Sequence, residues 1–275
     1  MALVWLALTA DLWSNPIPIY AFPDQCIDPR FPTLHKGWIV GCNPKGMVDR
    51  AYHIESMKTV RFPKDVEYVG LGEAINLGAL GIFDIFSQKL NKKVRIRESN
   101  APPVQLNNKW AYTSDFGVHV QEGSISRKIQ AQPRGWYAPA WWNNSIVWVE
   151  DNGQGGEELW SWNTNDGAKP LLKSEENQRH PVAAEEHLVW VEDHSIGIWQ
   201  YGKTPKYISA RVVDRVAFTK ERICWSERGK DIDINCTNGF VLSRKKHQLW
   251  PSMWREYLLF REEGQLMLYH FEHHE

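Results

Sequence analysis

Short apolar runs alternate with polar turns along this chain, and one arrangement returns at nearly constant intervals. Ile146-Val-Trp148-Val-Glu-Asp151 and Leu188-Val-Trp190-Val-Glu-Asp193 differ at one position. Looser copies stand at Leu258-Leu-Phe260-Arg-Glu-Glu263, Ile223-Cys-Trp225-Ser-Glu227, Trp110-Ala-Tyr112, Ile39-Val-Gly41 and Ile75-Asn-Leu77. Most follow a proline seven residues upstream: Pro32, Pro103, Pro139, Pro181 and Pro251, with Val216 and Tyr68 in that place in the other two. The runs begin at 39, 75, 110, 146, 188, 223 and 258, so successive spacings are 36, 35, 36, 42, 35 and 35. The one long spacing holds Asn152-Gly-Gln-Gly-Gly-Glu157, an inserted loop.

Each copy reads as strands. The runs alternate in a two-residue period, are rich in β-branched and aromatic residues, and are followed by turns. A second apolar strand follows each turn, at Leu159–Trp162, Ile198–Tyr201, Ile232–Ile234 and Leu266–Tyr269. A third follows in most copies, at Lys58–Phe62, Val94–Arg97, Pro170–Leu172, Tyr207–Ser209 and Phe240–Leu242. With the segment after each proline, every unit becomes four short strands in 35–42 residues. Repeated seven times, that is the arithmetic of an all-β, seven-bladed β-propeller of four-stranded antiparallel blades. The last copy lacks an outer strand, and Pro16–Phe22 is expected to supply it and close the ring. Residues 11–275 then make a single propeller domain.

Composition sharpens this picture. Fifteen Trp in 275 residues call for a repeated use of indoles. In a propeller both faces of a blade are buried, and a Trp covers about 150–250 Å². Trp110, Trp148, Trp160, Trp190, Trp199 and Trp225 are assigned to blade packing. A net charge of −1 is not that of a nucleic-acid-binding chain, and no apolar run reaches membrane-spanning length. Met1–Ala10 (MALVWLALTA) resembles the apolar part of a secretory signal, without its basic start. A hairpin turning at Gly229-Lys230 sets Cys224 opposite Cys236, and Cys26 with Cys42 makes a second expected disulfide. Both features favour an extracytoplasmic setting, periplasmic or secreted.

The units resemble TolB-like (WD40-like) propeller repeats over residues 28–271. Pro139-Ala-Trp141 and Pro251-Ser-Met-Trp254 echo the repeat's opening; Leu159-Trp160 and Ile198-Trp199 echo its second strand. The S-P-D-G turn of that repeat is absent. The resemblance implies a binding scaffold outside the cytoplasm, with a minority of relatives acting as enzymes on polysaccharides or peptides.

No nucleophile elbow, phosphate loop or zinc-ligand spacing occurs, so no catalytic residue, metal site or cofactor is assigned. The acidic pairs Glu150-Asp151, Glu192-Asp193 and Glu262-Glu263 are expected at equivalent turns on one face, where they either shape hairpins or form a ring for a cation or a basic partner. Adjacent Trp141 and Trp142 point to opposite sides of a strand. With Arg134, Trp136 and Tyr137 they form the candidate binding surface for a protein or glycan. The expected function is a monomeric, non-catalytic binding or scaffold propeller using one face of the disc. The alternative is a carbohydrate-active enzyme, lyase or glycosidase, with its site at the channel mouth.

Overall fold

A computed structural model describes residues 17–18, 37–42, 48–56, 58–66, the short strands between 70 and 91, and residues 96, 99, 101, 103–129, 131–134, 137–184, 186–263 and 265–271. The strands are β1 (Ile17–Pro18), β2 (Trp38–Cys42), β3 (Val48–His53), β4 (Thr59–Val66), β5 (Gly70–Leu71), β6 (Ile75–Asn76), β7 (Ile82–Asp84), β8 (Lys89–Asn91), β9 (Val104–Leu106), β10 (Lys109–Ser114), β11 (Gly117–Glu122) and β12 (Ile125–Ile129). They continue with β13 (Ala140–Trp142), β14 (Ser145–Asp151), β15 (Glu157–Asn163), β16 (Gly167–Pro170), β17 (Arg179–Ala184), β18 (His187–Val191), β19 (Ser195–Gln200) and β20 (Lys206–Ser209). The last are β21 (Val212–Thr219), β22 (Arg222–Arg228), β23 (Ile232–Cys236), β24 (Val241–Leu242), β25 (Gln248–Trp254), β26 (Tyr257–Glu262) and β27 (Gln265–His270).

The described residues form six four-stranded antiparallel blades: β5–β8, β9–β12, β13–β16, β17–β20, β21–β24 and a last one ordered β1-β27-β26-β25. This corrects the expectation of seven such blades, because β2–β4 make a sheet of three strands. The Ile39 run is the first strand of that sheet, whereas the runs at 75, 110, 146, 188, 223 and 258 are second strands. The upstream segment that would pair outside β2 lies beyond the described residues, and β1 is used elsewhere. It runs antiparallel to β27, with Ile17 opposite Leu268 and Pro18 opposite Met267. Met1–Ala10, Cys26 and the side chain of Cys42 also lie outside the described residues. The last strand of the β5–β8 blade is β8, and Val94, Arg95 and Arg97 of the third strand expected there lie outside the described residues.

Second strands carry the core. β14 reads half-buried only at its ends, and Ile146, Val147, Trp148 and Val149 are all at most 1% exposed. Such a run loses the in–out alternation of a one-sided sheet because neighbouring blades cover both of its faces. The outer strands β12, β16 and β20 are mostly exposed. The clusters between blades are therefore composite. Tyr137, Trp142, Val147 and Leu159 meet Leu188 and Trp190; Val189 and Val191 meet Val216, Ile223 and Trp225; Ile39 and Ile54 meet Leu259 and Leu268.

Gly197 shows how tightly a blade closes. It pairs with Trp190 across β18 and β19, and a Cβ there would lie 2.0 Å from the indole Cε2. Cys224 is opposite Cys236 in the β22–β23 ladder, and the two form a disulfide, in agreement with the hairpin register read from the sequence. Among the described residues, no helix is long and apolar enough to cross a membrane.

Candidate functional site

In the four blades built from β13 to β27, one end gathers polar side chains. The ladders set the start of each first strand beside the end of the second: Arg179 opposite Val191, Val212 opposite Glu227, Gln248 opposite Glu262, and Pro133 bridged to Glu150. The segment entering a blade and its second-to-third-strand turn therefore share one face.

On that face a Trp-x-Glu unit recurs. Residues two apart on a strand point the same way, so the indole meets the carboxylate. Trp148 Nε1 donates to Glu150 Oε2 at 2.5 Å, Trp190 Nε1 to Glu192 Oε1 at 3.0 Å, and Trp225 Nε1 to Glu227 Oε2 at 3.2 Å. The Phe260 ring has no N–H to donate, and there Glu262 takes Gln248 Nε2 at 3.2 Å and Arg244 Nε at 3.0 Å. Gln178 Nε2 likewise donates to Glu192 at 3.1 Å. Glu150, Glu192 and Glu262 are buried at 7, 5 and 4% exposure, which is tolerable for carboxylates only with such donors.

The second acid of each pair faces a cation. Asp151 holds Arg134 at 2.9 Å, Asp193 holds Arg179 at 2.6 Å, and Glu263 holds Lys246 at 2.6 Å. The expected ring of like charge is thus a set of neutralised pairs in these three blades.

The first strands of three successive blades also bulge at matched places, between Arg179 and Val182, Val212 and Val216, and Leu249 and Ser252. His180 and Trp250, each just before a proline, have φ of 50° and 55°, which side-chain-bearing residues seldom adopt. The bulge at 213–215 carries Asp214, whose Oδ2 accepts the Trp250 N–H at 2.6 Å and the Ser226 hydroxyl at 3.5 Å. Burial pushes the Asp214 carboxyl up, against the pull of the Arg215 and Trp250 main-chain N–H groups and the Arg215 charge. Burial lowers the Arg215 guanidinium, which Asp214 partly offsets. His180 is pushed down to about 3, first by desolvation and then by the nearby positive charges of Arg215 and Arg179. It stays a neutral ring, edge-on to Tyr137 at 4.6 Å. Local composition gives no sign of these bulges, although the residue before each proline was a place to look.

The candidate aromatic surface is resolved residue by residue. Trp136 lies outside the described residues. Tyr137 is 8% exposed, and its hydroxyl donates to Glu157 at 3.1 Å. Trp142, 4% exposed, donates to Glu186 O at 2.8 Å in the next blade and packs on Trp199. Trp141 is half-buried and donates to Val104 O at 3.2 Å in the preceding blade. The two indoles point opposite ways, and each side of the blade is an interface. Arg134 is half-buried on its pair with Asp151.

Beside this network, a cleft of about 410 Å³ opens on the same face, lined by Asp193, His194, Arg211, Val212, Val213 and Arg228. Sequence reading passed over it; the signal was the Arg228 that replaces the second acid after Glu227. Among the described residues, no group of three His, Cys, Asp or Glu side chains is placed to hold a metal ion.

No protein-family model matches the chain, and no curated protein matches its sequence. Solved structures do. A chain of a mitotic checkpoint complex is similar at TM-score 0.63 and 12% identity, over 94% of this chain and 91% of that one. A virginiamycin B lyase from Staphylococcus aureus, a catalytically inactive variant with quinupristin, is similar at 0.61 and 11%, over 92% and 97%. BamB from Moraxella catarrhalis is similar at 0.56 and 12%, over 93% and 88%. The chain is a β-propeller. Identities this low carry the fold and leave the chemistry to the residues themselves.

Proposed function

We propose that this propeller is a non-catalytic binding or scaffold module that holds a protein partner on the face bearing the Trp-x-Glu units. The observation behind the reading is the engagement of that face's carboxylates. In blade after blade they accept from indoles and amides or pair with guanidinium and ammonium groups. This makes a fixed polar rim suited to contact. It also spends the groups that a convergent acid and base would require. Of the aromatic segment, Arg134 retains exposed surface on that face and Tyr137 holds it in shape through Glu157, while Trp141 and Trp142, opposite Ile146 and Ser145, stand toward the other end of the blade.

The domain spans residues 11–275 as a monomer, built on TolB-like repeats, with β1 closing the ring on β27. The Cys224–Cys236 disulfide supports an extracytoplasmic setting. The mitotic checkpoint chain offers a precedent for a propeller within an assembly. The test is affinity capture from an extract of the source with three baits: wild type, a rim variant (Asp151→Lys with Asp193→Lys), and a perimeter variant on the outer strands β12 and β24 (Ile125→Ser with Val241→Ser). A partner retained by wild type and the perimeter variant but lost by the rim variant supports the reading. Equal retention by all three, or loss only from the perimeter variant, contradicts it.

A further inference from the structure

The blades are near-copies, so a departure from their shared pattern is informative. Glu150 accepts the main-chain N–H of Gln132 at 2.5 Å, and Glu227 accepts that of Arg211 at 3.2 Å. One residue on, Asp151 N donates to Gln132 O and Arg228 N to Arg211 O. These matched bonds make positions 132 and 211 equivalent, and likewise 151 and 228. Where the β13–β16 blade places glutamine and an aspartate neutralised by Arg134, the β21–β24 blade places two arginines.

Arg211 and Arg228 are both exposed. Neither guanidinium has an ion pair or hydrogen bond among the described residues. The other charges facing the cleft are committed. Asp193 is held by Arg179 at 2.6 Å, Glu227 by Trp225, and exposed His194 lies 3.4 Å from Glu176. Two guanidinium groups therefore stand over a cleft whose floor is Val212 and Val213, both half-buried. The floor is also where β21 leaves its ladder: only Ser226 stands between the partners of Val212 and Val216.

We propose that this cleft binds an extended acidic segment of a protein partner, with carboxylates on Arg211 and Arg228 and an apolar side chain against Val212 and Val213. The inference rests on the binding-module reading and names the chemistry of the partner. Charge complementarity selects the occupant. Guanidinium forks match carboxylates in a two-bond geometry, the apolar floor suits an intervening aliphatic side chain, and a volume near 410 Å³ is within the range of small ligand sites.

The test uses the full chain and three fluorescein-labelled hexapeptides that alternate Val with Glu, with Gln or with Lys, followed by anisotropy at low and high salt. The Glu peptide is expected to bind at least about tenfold more tightly than the Gln peptide, a preference that salt weakens. Arg211→Ala with Arg228→Ala should abolish that preference, and Arg211→Glu with Arg228→Glu should transfer binding to the Lys peptide. Because both side chains are exposed, the melting temperature should not change; the Lys peptide on the reversed variant reports an intact cleft in any case. Equal affinity for the three peptides, no binding by any, or a preference that survives the double alanine change overturns the proposal. If the rim-dependent capture described above succeeds while the peptides fail, the binding module stands and the acidic occupant falls. If both fail, the module reading falls too.

Discussion

Trp190 and Gly197 face each other across the β18–β19 ladder, and the glycine leaves the space that the indole fills. The equivalent pair in the β13–β16 blade is Trp148 with Trp160, whose ring centroids are 6.5 Å apart. In that blade a second large ring is accommodated; in the β17–β20 blade even a methyl group meets the indole. Gly197→Ala should therefore force Trp190, which is fully buried, off its position. Overpacking of this kind costs about 1–3 kcal/mol. A chemical denaturation midpoint unchanged from wild type would show that Trp190 moves freely, against this account of the core.

The buried carboxylates are expected to act as ties. Glu192 accepts from Trp190, Gln178 and, at 3.4 Å, Ser195. Glu192→Ala strands those donors and should cost about 1–3 kcal/mol. Trp190→Phe removes one donor while keeping most of the ring. A double-mutant cycle on this pair should show that the second change costs less once the first is made. Strict additivity in urea unfolding would mean that the indole–carboxylate bond carries no coupling.

The disulfide joins Cys224 and Cys236 across a separation of 12 residues. A loop of that size corresponds to roughly 3 kcal/mol in the chain-entropy model. Replacing both cysteines by Ser, or reducing the protein, should lower the melting temperature by similar amounts. The double variant should then be indifferent to reductant. A large residual effect of reductant on that variant would place the redox sensitivity elsewhere.

Acid should destabilise the protein through His180. Its folded value, about 3, lies below the ordinary 6.5, so between these values the unfolded chain binds the proton and the folded chain does not. Stability from this group is present above about 6.5 and is lost as the pH falls toward 3. Asp214 contributes with the opposite sign: its carboxyl is raised, so its burial weighs against the fold as pH rises above the usual carboxylate range. His180→Asn keeps a residue that tolerates the φ of 50° and removes the titration. Melting temperatures from pH 7 down to 4 should fall less steeply in this variant than in wild type. Parallel curves would remove His180 from the acid response.

Much of the architecture is legible in the sequence because one chemical unit is copied. The hexapeptides ending in Trp-x-Glu-Asp identify second strands, since a strand buried on both faces must be apolar at consecutive positions. The Cys224–Cys236 pairing follows from a short turn that fixes the register. The indole–carboxylate ties were available too, from two-residue spacing on one strand face, but acidic residues beside turns read equally well as solubilising. Other features depend on contacts that a single strand does not encode. Trp141 and Trp142 suggested a surplus aromatic side, yet the neighbouring blades supply Val104 O and Glu186 O as acceptors. The bulges at His180, Asp214 and Trp250 depend on which neighbour the chain packs against. Arg228 was visible as a departure from the acidic ending; its meaning required the cleft beside it.

The central claim is that the face of the Trp-x-Glu units meets a protein partner. Hydrogen–deuterium exchange of the wild-type protein, alone and with its captured partner, tests it most directly. The account predicts slowed exchange in the turns at 151–157, 192–195 and 228–232 and in the entering segment 211–215, with β12, β16 and β20 unchanged. Protection confined to those outer strands, with the turns exchanging as in the free protein, would contradict it.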